Sequence, residues 1–257
     1  MNVFNLFAVE LKKIRRTHIF LLLLIPIILL WIPSILHSDM NFSMKAEGIS
    51  PENNFFIQGF LGLAWFMYPA TLVIGTVLLH QTERGNRGIV KMLSLPVSPT
   101  ALCMAKFLVL LLLAAVQLLM AICLYFPAAA ISSQMNHYPL MISPLLVLRE
   151  TGLIFLSSLP MAAFFWMIAV CIRTPVFSMG LGLASIIPSV FAMNTKVWFL
   201  YPMCYPFYLI TALQGEMASG FDTFSVNLFP WIPVAAGITF FCLMVSCLCF
   251  SKSERSL

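Results

Sequence analysis

Six long apolar runs dominate the sequence, at about residues 18–36, 58–80, 100–126, 151–171, 176–193 and 229–250. A helix needs about 20 apolar residues to cross the hydrocarbon core of a bilayer. Inside that layer there is no water to bond the backbone, so each run must satisfy its own N–H and C=O groups as a helix. The runs therefore predict an all-α polytopic membrane protein, with six transmembrane helices in one domain over residues 1–257. Composition agrees: the chain is 61% hydrophobic and 9% charged, where a soluble domain carries about 25% charged residues. Soluble enzymes and nucleic-acid-binding proteins are excluded on that ground.

The basic residues orient these spans. Lys12, Lys13, Arg15 and Arg16 precede the first run. That run is not read as a cleaved signal, because it is long, contains Pro26 and Pro33, and has no small-residue cleavage site after it. With the amino terminus inside, eleven Lys and Arg residues fall on cytoplasmic segments and two, Lys45 and Lys196, on external ones. Basic residues accumulate on the cytoplasmic side, so both termini are expected there. The cytoplasmic loops are then 81–99 and 172–175, and the external loops 37–57, 127–150 and 194–228. Arg149 and Glu150 fall at the outer mouth of the fourth run and are read as an interfacial pair.

Six of the seven cysteines lie inside apolar runs, where Cys behaves as a small hydrophobe. Only Cys204 falls in an external segment, so no external disulfide within the chain is expected. No CxxC pair and no Cys/His cluster with metal-ligand spacing occurs.

Two segments outside the runs carry a pattern. In the amino-terminal stretch, Phe4, Phe7, Leu11 and Ile14 recur at helical spacing, with Glu10, Lys13 and Arg16 on other faces. This predicts an amphipathic helix in the inner interface, its basic side towards anionic lipid. The first cytoplasmic loop reads HQTERGNRGIVKMLSLPVSPTALCMAK from His80 to Lys106. Gly85 and Gly88 interrupt the preceding helix, and Ile89, Met92 and Leu93 form a short apolar stripe that Pro96 ends. Ser98-Pro99 then supplies an N-cap and a first-turn proline for the third span. A short amphipathic helix held at a membrane turn suits docking into another protein's groove.

These residues resemble a family. A Glu at the end of the second span (Glu83), a glycine-containing turn (Gly85, Gly88), a short helix closing in LSLPVSP and a Lys early in the third span (Lys106) look like the ABC-2 type exporter permeases. In size and layout the chain is similar to their lantibiotic-protection, or bacteriocin immunity, members. The resemblance implies a coupling helix that receives the stroke of a separate ABC ATPase, with Glu83, Arg87, Ile89, Lys91, Met92 and Leu93 at that contact. It further implies two ATPase copies, a second permease subunit (identical or related), and a path lined by the second and fifth spans. ATP and Mg would be bound by the ATPase and no cofactor by this chain. The sequence agrees, since none of its twelve glycines is followed by the Lys of a phosphate-binding loop.

Along that path Met67, Tyr68 and Ser185 are the candidate lining residues. Trp198, Tyr201 and Tyr205 are expected to form an apolar external lip on short re-entrant helices before the last span. Almost charge-free spans suit an apolar or amphipathic substrate better than a coupled ion. Together with the resemblance to the lantibiotic-protection permeases, this implies as the expected function the expulsion of an amphipathic antimicrobial peptide from a bacterial plasma membrane, with membrane lipids as the surrounding partner. The alternatives are a lipid, a hydrophobic drug or a polysaccharide as substrate, or a motor-free membrane receptor or scaffold.

Overall fold

The computed structural model describes residues 3–14, 19–84, 98–172, 174–219 and 228–255. Among the described residues every regular element is helical. Helix α1 (Val3–Ile14) precedes α2 (Ile19–Leu36). A 3₁₀ segment, Ser38–Glu47, leads to α3 (Pro51–Gly62), which passes through a π turn (Leu63–Met67) into α4 (Tyr68–Arg84). Then come α5 (Pro99–Asn136), α6 (Pro144–Cys171), α7 (Pro175–Ala184) and the short α8 (Ser189–Ala192). Two 3₁₀ turns, Trp198–Leu200 and Pro202–Cys204, lead into α9 (Tyr205–Ser219), and α10 (Leu228–Arg255) comes last. Six stretches are long and apolar enough to cross a membrane: Ile19–Leu36, Pro51–His80, Pro99–Asn136, Pro144–Cys171, Pro175–Ala192 and Leu228–Lys252.

A Ser-Pro or Thr-Pro step starts four of these helices, at Ser50-Pro51, Ser98-Pro99, Ser143-Pro144 and Thr174-Pro175. Proline fits the first helical position because the N–H it lacks would have no partner there. It also forces the residue before it into the extended region, which is where an N-cap belongs. Ser98 Oγ accepts from the Ala101 N–H at 3.3 Å and Ser143 Oγ from the Leu146 N–H at 3.4 Å.

Three helices outrun their apolar runs. The second span begins at Pro51 rather than about residue 58, and the fourth at Pro144 rather than about 151. In both cases a Ser-Pro start in the preceding loop sets the boundary. Arg149 and Glu150 therefore lie in the second turn of α6, not at its mouth. The third span continues through Pro127 to Asn136 and stops at His137, whose φ of 51° is left-handed. The Tyr138 N–H closes this end on the Ser133 carbonyl at 3.2 Å, a standard helix stop. The fifth stretch is broken instead: α7 ends at Ala184 and a turn leads to the single helical turn of α8.

α6 stands at the centre, packed by α4, α5, α7, α9 and α10, while α1 and α2 lie along α5. Lipid gives helices no hydrophobic reason to associate, so close packing and interhelical hydrogen bonds must hold them. Both are present. Trp31 of α2 packs into Phe55, Phe60 and Tyr125, with ring centroids 5.8, 5.9 and 5.6 Å away. Gly59 is what admits that indole, since a Cβ there would stand 2.5 Å from Trp31. Gly182 of α7 lets α4 approach in the same way, with a Cβ falling 2.7 Å from Val73.

One end of the bundle carries a polar cluster. Asn136 donates to Ser38 Oγ at 2.7 Å, Asn54 to Asn41 Oδ1 at 3.1 Å, and the Tyr138 hydroxyl to Glu52 Oε2 at 2.9 Å. These bonds join the ends of α2, α3 and α5. The opposite end carries α1 and, across the bundle, His80 and Phe250, whose rings lie 6.3 Å apart.

The glycines make a graded prediction. Gly59→Ala and Gly182→Ala should each destabilise the detergent-solubilised protein by about 1–3 kcal/mol, the usual cost of overpacking. Gly180→Ala should leave the thermal midpoint at or above wild type, because nothing lies within 4 Å of its Cβ position. Thermal unfolding of the three variants checks the order.

Candidate functional site

The region that the sequence marks as a docking element lies where α4 ends and α5 begins. Glu83 falls in the last turn of α4. Arg87, Ile89, Lys91, Met92 and Leu93, with the short helix expected around them, lie outside the described residues. The base from which that connection leaves is described. Lys106, the eighth residue of α5, is fully buried, and its Nζ donates to Glu10 Oε2 at 2.9 Å and to the Leu79 carbonyl at 3.3 Å. Lys13 Nζ approaches the other Glu10 oxygen at 2.5 Å. One ammonium thus joins α1, α4 and α5.

The expected face of α1 is corrected at Glu10. Ile14 is buried and Phe7 and Leu11 are partly buried against the core, as the apolar spacing predicts, but Leu6 and Glu10 are buried with them, and Glu10 is 2% exposed. The apolar periodicity had placed Glu10 on another face. The signal that could have found it was Lys106 itself, an ammonium in an apolar run with no acidic residue nearby in sequence. Burial pushes the Glu10 carboxyl upwards, but the Lys106 and Lys13 ammoniums and their hydrogen bonds outweigh it, holding the carboxyl below its ordinary value.

The candidate path residues separate from one another. Tyr68 is fully buried, with its hydroxyl 2.8 Å from Ser158 Oγ of α6, so in this chain it joins α4 to α6 and presents no open surface. Met67 is half-buried at the end of the π turn. Its carbonyl accepts from Thr71 Oγ1 at 2.7 Å, and Thr71 Oγ1 accepts from Gln117 Nε2 at 3.0 Å. Ser185 is half-buried, donates to the Gly182 carbonyl at 2.7 Å, and offers its own carbonyl to the Tyr201 hydroxyl. The rings exposed at the π turn are Trp65 and Phe66, which sequence reasoning missed. A π turn carries one residue beyond an α-helical turn. That extra residue advances the helix phase by about 100°, so faces extrapolated along the span are misassigned beyond it.

The three lip candidates also divide. Trp198 stacks on Tyr208 with centroids 3.8 Å apart and 17° between planes, and meets Tyr205 and Trp231 edge-on. Tyr205 is fully buried and donates to the Phe199 carbonyl. These rings pack α9 against α10, while Tyr201 ties the segment back to Ser185. Cys204, placed by sequence in an external loop, is fully buried, with its thiol on the Ser189 carbonyl at 3.3 Å.

The Arg149–Glu150 pair is split across the surface of α6. The Arg149 side chain is 72% exposed, the Glu150 side chain 9%, with Nε and Oε1 3.6 Å apart. Glu150 turns into the bundle, within electrostatic reach of Glu216 on α9. Exposure thus separates the two members of the expected interfacial pair, Arg149 outward and Glu150 inward. Among the described residues no group of three or more His, Cys, Asp or Glu could hold a metal ion.

The model of the ABC-2 family transporter proteins matches residues 6–189. The chain belongs to the ABC-2 transporter family. The match runs from α1 into α8, and so takes in the Glu10–Lys106 pair, the connection between α4 and α5, and the π turn. No curated protein and no solved structure matches the chain. The ABC-2 family is the membrane component of its transporters; it lacks ATPase activity and works with an ABC ATPase subunit.

The pH dependence of this ABC-2 chain should carry the mark of Glu10. A carboxyl held below its ordinary value of 4.5 adds stability above that value and loses it as the pH falls through the folded-state value. The thermal midpoint should therefore drop on acidification below about pH 4.5. Glu10→Gln should remove that part of the drop while lowering the midpoint at neutral pH. A melting series over acidic pH, wild type against variant, measures it.

Proposed function

We propose that the chain is the permease subunit of an ABC exporter that expels an amphipathic antimicrobial peptide from a bacterial plasma membrane. The observation that carries the permease reading is the family match from α1 into α8. In this reading both termini are cytoplasmic, as the eleven-to-two distribution of basic residues favours. Two permease subunits, identical or related, work with two copies of an ATPase that binds ATP and Mg. Closure of the motor pulls the short helix carrying Ile89, Met92 and Leu93, with Glu83, Arg87 and Lys91 beside it, and shifts the second and fifth spans.

An amphipathic substrate is favoured by how the interior polar groups are used. Tyr68 bonds Ser158, Thr71 bonds Gln117, and Lys106 bonds Glu10. These groups join helices to each other, whereas ion-coupled carriers keep ionisable groups in play at membrane depth. Met67 and the exposed rings of Trp65 and Phe66 beside it are the proposed contact surface on the second span. Ser185 and the segment from Trp198 to Tyr205 bound the route at its outer end.

The test is a gentle-detergent pull-down of the tagged chain with the copurifying proteins identified by mass. An ABC ATPase should accompany the wild type and fall at least about tenfold when Ile89, Met92 and Leu93 become Asp, a loss of about 1.4 kcal/mol or more. Absence of any ATPase under crosslinking overturns the exporter reading. Cells expressing the chain with that ATPase should tolerate more of a lantibiotic panel than cells with the triple variant. Equal sensitivity removes the peptide as substrate.

A further inference from the structure

The connection spanning residues 85–97 leaves the bundle on two legs, the end of α4 and the start of α5. Leu79 belongs to the first leg and Lys106 to the second. The Lys106 ammonium bonds the Leu79 carbonyl, so the legs are linked below the connection. That ammonium is fully buried and its counter-charge comes from a third element, Glu10 of α1. Leu6 and Ile14, one turn to either side of Glu10, are buried too and already seat α1 by apolar packing. A charge between them is not needed for anchoring. A buried ion pair adds little stability over apolar residues of the same volume, and in some proteins such a pair serves to fix one geometry instead.

We propose that Glu10 and Lys106 are positioning residues that set the spacing of the two legs, so that α1 belongs to the apparatus that receives the motor. This rests on the reading of the chain as an ABC permease whose α4–α5 connection docks an ATPase. Lys13, 37% exposed, places a second ammonium on Glu10 at 2.5 Å.

The experiment measures ATPase recovered per permease, together with the thermal midpoint of the permease, for matched variants. Glu10→Gln should lower recovery about tenfold, and Glu10→Asp, which keeps the charge on a shorter arm, about threefold. If Glu10→Gln does not fold, Glu10→Asp carries the test. Lys13→Gln alone should leave recovery at the wild-type level. In that background the inverted pair, Glu10→Lys with Lys106→Glu, should restore recovery lost in Glu10→Gln. Gly59→Ala, which overpacks α3 against Trp31, should lower the midpoint while recovery stays high. Wild-type recovery in both Glu10 variants overturns the proposal. So does an equal loss in Gly59→Ala, which would mean that loss of fold alone releases the motor. If the wild type itself brings down no ATPase, it is the permease reading that fails.

Discussion

Helices in lipid gain nothing by hiding apolar surface from one another, so this bundle depends on how closely its backbones approach and on which polar groups meet between them. Gly59 and Gly182 open two of the close approaches, to Trp31 and Val73. The hydrogen bonds Tyr68–Ser158 and Gln117–Thr71 fasten α4 to α6 and to α5. At each end a polar group gathers the helix termini: Glu10 and Lys106 at one, Ser38, Asn54, Asn136 and their partners at the other.

Much of this was legible in the sequence. Run length gave the spans, because the thickness of hydrocarbon is fixed and the backbone must be helical within it. Ser98-Pro99 announced the start of α5, for it combines a cap with a residue that cannot continue a helix backwards. The same chemistry at Ser50-Pro51 and Ser143-Pro144 lay in plain view, yet the apolar runs alone set the boundaries there. The start at Ser143-Pro144 puts Arg149 and Glu150 in the second turn of α6.

What stayed illegible is what depends on three-dimensional pairing. Glu10 and Lys106 are 96 residues apart, and no periodicity within either helix connects them. Tyr68 was a candidate lining residue of the second span, but its partner, Ser158, lies on another span. The π turn at Leu63–Met67 leaves no compositional trace, so Trp65 and Phe66 could not be placed outward by counting. The ring cluster of Trp198, Tyr205, Tyr208 and Trp231 reads in one dimension as an aromatic belt; only α10 folding back to bring Trp231 makes it a packed core.

The length of α5 has a consequence of its own. Lys106 and Asn136 are thirty residues apart on one uninterrupted helix of 38 residues, which at 1.5 Å per residue separates them by about 45 Å. Hydrocarbon is about 30 Å thick, and a bilayer with its headgroup layers about 40–45 Å. Measured along α5, the two polar gatherings are therefore about as far apart as the two headgroup layers of a bilayer. In a thinner bilayer neither gathering can slide along the helix to stay in register. The chain must tilt as a body or draw the lipid around it to its own measure.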